Sequence, residues 1–210
     1  ARRVLARRSE TLALEWAPRI ADSERVAGAA STLAATMWQR NAAAEQEPAS
    51  GRSDYFPVAY VEPLAGNEAV RGFDVGSEPA RRAAIDAAIA SGAVCSTRSI
   101  HLVQDPGPGK ALLAVFPVYQ RSATARSADQ VRGVAIVVVR LRDMLAPLST
   151  STDHAQLVVR LRDVTEGDDE LFAIGANIPP AEGEFTATTR MDAAGRDWVV
   201  EVAATRAFLA

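Results

Sequence analysis

The residue types that usually carry out catalysis are few in this chain of 210 residues, and they form no catalytic pattern. There is one cysteine, Cys95, and two histidines, His101 and His154, and no known spacing joins them into a nucleophile with its base. Neither a GxSxG nor an HExxH motif occurs, and the acidic run at 166–170 is typical of a solvated turn. The sequence therefore argues against a hydrolase or transferase, and it predicts no catalytic residue, no metal site and no cofactor.

One carboxylate, Asp74, lies just before a predicted helix start. It precedes Ser77-Glu78-Pro79, which is typical of a helix start with serine as N-cap and proline in the first turn. At the mouth of an apolar pocket, a carboxylate accepts hydrogen bonds from N–H donors, worth roughly 1.5–3 kcal/mol net for a charged partner. The alternative is that Asp74 caps the following helix or binds loop amides, and the sequence leaves both interpretations open.

The N-terminal elements are expected to be helical. Residues 1–40 are predicted as a helical stalk that Pro18 interrupts and that Asp22 or Ser23 restarts. The apolar stripe of the first helix consists of Val4, Leu5, Leu12, Leu14 and Trp16. The stripe would either pack on its own domain or form a dimer seam that continues to a membrane helix.

Two groups of strands follow the stalk. In the first group we expect strands at 55–61, 70–75, 96–104 and 111–119, with a helix at 80–90 that Gly92 closes. In the second we expect strands at 131–141, 156–162, 171–174, 185–191 and 197–204, with a short helix at 143–148. The predicted fold class is α+β: a long N-terminal helical stalk (1–40), then two tandem PAS-like modules with antiparallel sheets, at 41–130 and 131–210.

Composition narrows the class of partner. The 23 basic and 26 acidic residues almost balance, so neither nucleic acid nor an anionic membrane surface is expected as the main partner. No run of 18 or more apolar residues occurs, which predicts no transmembrane helix within the chain. Because the sequence opens on Ala1 in the middle of a helical pattern, we interpret it as a fragment of a longer protein.

The stretch from Tyr55 to Tyr119 has a distinctive order of elements. It begins YFPVAYVEPLAGNEAVRGFDVGSEPARRAAIDAAIASGAVCSTRSIHLVQ and ends KALLAVFPVYQ. This sequence, with its order of elements, closely resembles the CHASE family, the extracytoplasmic sensor domains of bacterial and plant receptor kinases and bacterial cyclases. The resemblance implies a membrane-distal PAS-like module that binds ligand, a smaller membrane-proximal module, and a homodimer formed through the N-terminal helices.

The resemblance also implies which residues meet the ligand. In plant members a carboxylate binds the adenine edge of a cytokinin, and Asp74 matches that position. Thr97 and Arg98 match the approach to the pocket floor, and Leu102 matches an apolar floor residue. Further candidates on the same sheet are Ile100, Val115, Phe116 and Tyr60. For Ile100 and Val115 ordinary core packing is the alternative, and Tyr60 would otherwise cover the sheet.

The function implied is that of a periplasmic sensor belonging to a membrane-anchored histidine kinase or diguanylate cyclase. The ligand would be an adenine-type molecule or a small bacterial metabolite, and Arg98 would clamp an anionic one. Binding would shift the dimer between two arrangements, which the membrane spans would relay. The alternative is a dimerisation or protein-interaction module that binds no ligand.

Overall fold

Two antiparallel sheets organise the computed structural model of the chain. The structure describes residues 11–26, 32–103, 109–120, 127–150, 157–175 and 186–205. The first module is built on a five-stranded sheet in the order β6-β1-β9-β8-β7, and the second on a four-stranded sheet in the order β11-β10-β13-β12. The strands of the first sheet are β1 (Thr11–Pro18), β6 (Tyr60–Glu62), β7 (Cys95–Ser96), β8 (Ala111–Tyr119) and β9 (Val131–Arg140). Those of the second are β10 (Leu157–Asp163), β11 (Asp169–Ile174), β12 (Thr186–Asp192) and β13 (Asp197–Ala204).

Two small ladders and four helices complete the described part of the chain. The ladders pair β2 (Ile20–Ala21) with β5 (Asp54–Tyr55) and β3 (Trp38–Arg40) with β4 (Gln46–Pro48). The helices are α1 (Asp22–Val26), α2 (Thr32–Thr36), α3 (Pro79–Ser91) and α4 (Leu141–Thr150). None of them has the length and apolarity needed to cross a bilayer.

The prediction of a long N-terminal helical stalk is wrong for the described residues. Thr11–Pro18 is strand β1, which lies between β6 and β9 in the first sheet. Its burial alternates: Ala13 and Ala17 are fully buried, while Leu12, Leu14 and Trp16 are half-buried. This period of two is that of a strand, and the pairing on both edges satisfies the backbone groups that a helix would bond internally. The predicted contribution of Val4 and Leu5 lies outside the described residues.

Helix α3 covers the core in which several predicted ligand residues lie. Pro79 occupies its first turn, where a missing N–H costs no hydrogen bond, and Gly92 ends it with a left-handed φ of 68°. The Gly92 cap confirms the sequence prediction, but the N-cap position belongs to Glu78 instead of Ser77. The helix packs on the inner face of the first sheet through Ala84, Ile85 and Ala88.

Most strand predictions in the second half are confirmed, whereas several in the first half are wrong. Strands β8 to β11 and the β12–β13 hairpin lie within about two residues of the expected bounds. The predicted strand at 70–75 is instead two short 3-10 helices, Glu68–Val70 and Val75–Ser77, joined through Gly72 with a φ of 77°. Strand 55–61 is broken between β5 and β6, where Pro57 lacks a donor for a continuous ladder. Within 96–103, the described part of the predicted strand 96–104, the end of β7 is followed by a single bridge at Ile100.

The division into modules at residue 130 stays a prediction. Strand β9, which the sequence assigned to the second module, pairs with β1 and β8 inside the first sheet. It then runs into α4, and the second sheet begins at β10.

Candidate ligand-binding site

Asp74 sits in the interior of the first module with no exposed surface. Its backbone lies beside Pro57 in an isolated bridge, which holds the carboxylate against the chain that precedes β6. Oδ1 accepts hydrogen bonds from the backbone N–H groups of Phe56 at 2.7 Å and Gly76 at 3.1 Å. One oxygen of Asp74 thus caps the 3-10 turn Val75–Ser77 and binds a loop amide, which is one of the two roles expected for it.

The other carboxylate oxygen of Asp74 is bound by a cation. Arg52 donates to Oδ2 from Nε at 3.1 Å and from Nη2 at 2.8 Å. The same guanidinium also donates to Gln39 and lies over the ring of Tyr55, with 5.2 Å between Cζ and the ring centroid. These charge-assisted hydrogen bonds are stronger than neutral ones. Arg52 thus occupies the position at Oδ2 where the N–H donors of a ligand were expected to bind.

A second ionic group continues from this pair along the outside of α3. Asp54 accepts from Arg19 Nε and from Arg82 Nη1, both at 2.7 Å, and Arg82 also binds Asp86. Burial would raise the pKa of Asp54, but the hydrogen bonds from Arg82 and Arg19 outweigh it, so the pKa lies below its usual value. The Asp54 carboxylate is therefore held ionised at neutral pH.

The most deeply buried cation of the first module is Arg81, with 3% of its surface exposed. Its Nε lies 3.2 Å from Glu78 Oε2, Nη2 donates to the His101 carbonyl at 3.1 Å, and Cζ lies 5.0 Å from the centre of the Phe73 ring. Desolvation lowers the pKa of Arg81, and the nearby charges of Glu78 and Glu15 oppose this. Since buried charges are costly unless paired, this cluster is a polar spot inside an apolar core.

Four predicted site residues belong to the inner face of the sheet, under α3. Ile100, Leu102 and Val115 are buried members of the main core cluster. Thr97 is also buried, and its hydroxyl accepts from the backbone N–H of Leu113 at 3.1 Å. All four serve the packing and hydrogen bonding of the module's interior.

The remaining three predicted residues lie elsewhere. Tyr60 and Phe116 are exposed on the opposite face of the sheet, at 53% and 41%, because neighbouring strand residues alternate between faces. Tyr60 donates its hydroxyl proton to Glu62. Arg98 is exposed and lines a cavity of about 320 Å³ between α3 and the turns of the second sheet. The structure thus brings Asp74 and the four inner-face residues into one module interior, but not Tyr60, Phe116 or Arg98.

Sequence reasoning missed Arg52, Arg81 and Glu15. For Glu15 a signal was present: a charge at every-second-residue spacing between Ala13 and Ala17 marks the buried face of a strand. For Arg52 and Arg81 we find no local signal, since arginines are common throughout this chain. Among the described residues, no group of three or more His, Cys, Asp and Glu is placed to hold a metal ion.

Comparison with known proteins identifies the class of domain. The family profile described as CHASE domain matches residues 1–172, which includes the whole five-stranded sheet. The chain belongs to the CHASE domain family. As a CHASE domain it is an extracytoplasmic sensor domain, as the resemblance of 55–119 implied. No curated protein sequence matches it.

Solved structures share the fold of this CHASE domain at low sequence identity. An extracellular ligand-binding receptor from Desulfohalobium retbaense DSM5692 is similar with a TM-score of 0.52 and 11% identity, over 70% of this chain and 28% of that one. A methyl-accepting chemotaxis protein X is similar with a TM-score of 0.50 and 11% identity, over 96% of this chain and 77% of that one. The chain thus spans less than a third of the first receptor's length. At such identities the likeness concerns the fold alone.

Proposed function

We propose that this CHASE domain binds a small molecule inside its first module, as the periplasmic sensor of a membrane-anchored histidine kinase or diguanylate cyclase. The observation that carries the proposal is the family match over residues 1–172. The buried ionic groups inside the first module support it, because charged side chains are seldom kept in an apolar interior without a role.

The proposed contacts are those that the fold gathers under α3. Asp74 would accept hydrogen bonds from the ligand in exchange for Arg52, and Thr97, Ile100, Leu102 and Val115 would form the surrounding wall. Tyr60 and Phe116 face away from this interior, so the proposal leaves them out. Arg98 is left out as well, because it lines the cavity beside the second sheet. The ligand class remains an adenine-type molecule or a small bacterial metabolite.

A second function is favoured by one specific observation. Both oxygens of Asp74 are already bound by groups of the protein itself, and the side chains around it are packed. A domain of this kind could serve as a dimerisation or interaction module that takes no ligand. The homodimer would then be the working unit, although its interface is not the N-terminal helix predicted for Thr11–Pro18.

Thermal unfolding in the presence of adenine, N6-substituted adenines, amino acids and small carboxylic acids separates the two functions. A ligand that binds only the folded state stabilises it by RT ln(1 + [L]/Kd), so the melting temperature continues to rise as the ligand concentration increases. A reproducible rise with one chemical class supports the sensor. The absence of any rise across all four classes supports the interaction module.

A matched pair of variants ties any rise to the proposed site. Asp74→Asn removes the buried carboxylate and should abolish the rise, whereas Asp86→Asn makes the same charge change at an exposed position beside Arg82 and should retain it. Loss of the rise in both variants, or in neither, would place the ligand somewhere else.

A further inference from the structure

A single β-bridge that follows β7 along the chain lies between the two modules. Ile100 and Ala111 form an antiparallel bridge closed by two hydrogen bonds, Ile100 N to Ala111 O at 2.9 Å and Ala111 N to Ile100 O at 3.0 Å. Both side chains are buried in the main core cluster of the first module. Because side chains alternate across a ladder, the residues next to this bridge must point the opposite way.

Those outward-pointing residues form hydrogen bonds and packing contacts with the second module. Ser99 donates to Asp169 Oδ2 and Lys110 donates to Asp169 Oδ1, both at 2.5 Å, and Lys110 also donates to the carbonyl of Glu170 at 2.6 Å. Leu112, the next outward residue on β8, packs in the separate core cluster formed by residues of α4 and the second sheet. Asp169 is the first residue of β11.

A neighbouring contact fixes the same segment to the second sheet. Ser96 donates its backbone N–H to the Ala194 carbonyl at 2.8 Å and its hydroxyl to the Ala193 carbonyl at 3.1 Å. Ala193 and Ala194 form the turn between β12 and β13. The segment 95–100 is therefore held to the second sheet at both ends, while its inward residues line the interior of the first.

We infer that the bridge between Ile100 and Ala111 is the mechanical link between the modules, and that Asp169 is its anchor in the second sheet. We expect a displacement on the inner face, beside the proposed ligand wall, to move Ser99 and Lys110, because they are the covalent neighbours of the two bridged residues. The carboxylate of Asp169 then passes this movement to β11. The inference rests on the proposed function only for the origin of the displacement.

The electrostatics of Asp169 agree with an anchoring role. Burial would raise its pKa, but the hydrogen bonds from Lys110 and Ser99 and the charges of Lys110 and Arg98 lower it. The carboxylate is thus ionised at neutral pH, as a charge-assisted contact to an ammonium group requires.

The first test asks whether the modules unfold as one unit. Trp16 and Trp38 report on the first module and Trp198 on the second, so Trp198→Phe and the double variant Trp16→Phe with Trp38→Phe give single-module fluorescence signals. In urea, the midpoints from the two reporters should coincide with Asp169 in place. With Asp169→Ala we expect them to separate by about 0.5 M, because the modules then lose the charged part of the polar contacts between them.

Asp168 provides a matched control on the adjacent residue. Its carboxylate forms a hydrogen bond and ion pair with Arg162 within the second module, at 2.6 Å. Asp168→Ala should therefore leave the midpoints coincident. Coincident midpoints in Asp169→Ala, or an equal separation in Asp168→Ala, would overturn the inference.

The second test uses the only lysine of the chain. The rate at which an amine-reactive ester acylates Lys110, measured by mass spectrometry, should rise about threefold or more in Asp169→Ala and stay unchanged in Asp168→Ala. Leu102→Ala, which opens a cavity on the inner face, should raise the same rate by transmission through the ladder. An unchanged rate in Leu102→Ala would show that the inner face is not linked to the anchor. Neither test uses a ligand. A metabolite screen without a hit would therefore contradict the sensor proposal and would not affect this inference.

Discussion

Replacing Asp74 by asparagine gives the sharpest test of what the buried carboxylate does. The change keeps the shape of the side chain and removes its charge. If the amide oxygen stays on the N–H groups of Phe56 and Gly76, the new NH₂ group faces the donors of Arg52. Two charge-assisted bonds are then lost and replaced by a contact between donors.

The expected magnitude follows from those contacts. Loss of the Arg52 interaction costs about 1.5–3 kcal/mol, and the two remaining amide bonds weaken because a neutral acceptor binds about half as strongly. We therefore expect the free energy of unfolding to fall by about 3 kcal/mol in Asp74→Asn. In Asp74→Ala it should fall by about 5 kcal/mol, since two buried N–H groups also lose their acceptor.

Urea unfolding followed by circular dichroism measures both values, with Asp86→Asn as the control. Asp86 is exposed and pairs with Arg82 along one helix face, so its loss should cost no more than about 0.5 kcal/mol. A double-mutant cycle with Arg52→Met should give a coupling energy above about 1.5 kcal/mol. A wild-type midpoint in Asp74→Asn would refute the reasoning, because it would mean that the contacts of this carboxylate contribute nothing to folding.

Three further outcomes follow from the structure. Gly133→Ala should lower the free energy of unfolding, measured in urea, by about 3 kcal/mol, because the new Cβ would lie 2.4 Å from the Ala17 carbonyl oxygen. Gly109→Ala is the control: no atom lies within 4 Å of its new Cβ, so the free energy of unfolding should change by less than about 0.5 kcal/mol. Equal losses in the two variants would contradict this prediction. Phe73→Ala should lower the free energy of unfolding by about 3–5 kcal/mol in the same assay, since the fully buried ring packs on Trp38 with the two ring centroids 4.9 Å apart. A loss below about 1 kcal/mol would contradict this, because it would mean that neighbouring side chains fill the space left by the ring. The folded-state pKa of Asp54 is lowered, so its stabilisation is complete above its unfolded pKa of about 3.9 and is lost as the pH falls through the folded value. The urea midpoint should thus hold from about pH 5 to 7.5 and drop below about pH 4 for wild type, with a smaller drop in Asp54→Asn.

The strands of the second sheet, and strands β8 and β9 individually, could be predicted from sequence because their signals agree. The segment 131–140 is rich in β-branched residues, and 192–195 is a turn between alternating segments, so propensity and periodicity indicate the same structure. The five-stranded order β6-β1-β9-β8-β7 could not be predicted, because it depends on β1 entering between two strands that are distant in sequence.

The N-terminal error shows how two signals can conflict. The prediction treated Leu12, Leu14 and Trp16 as part of one helical apolar stripe with Val4 and Leu5. The large apolar residues Leu12, Leu14 and Trp16 are nevertheless spaced by two, which is the period of a strand. Tertiary pairing with β6 and β9 determines the outcome, since it supplies hydrogen-bond partners on both edges of the segment.

The contacts of the candidate site residues could not be read from the sequence, again because they depend on tertiary structure. Asp74 was proposed as a ligand residue from its position before a helix start, but the sequence could not show that Arg52, 22 residues earlier, binds it. Such long-range pairs leave no periodic pattern. Phe116 and Val115, which the sequence analysis placed in one lining, lie on opposite faces because consecutive side chains of β8 alternate.

The pairing of Asp74 with Arg52 constrains what a ligand at this site must supply. A ligand with N–H donors would exchange one set of charge-assisted bonds for another, so the exchange itself contributes little net free energy. Arg52 could be rehydrated at little cost, because 23% of its side chain already meets solvent. The affinity would then have to come from apolar contact with inner-face residues such as Ile100 and Leu102, at about 25 cal/mol per Å² buried. Selectivity would therefore rest on the shape of the apolar wall that these residues present to a ligand, with Asp74 setting the orientation of the ligand more than its strength of binding.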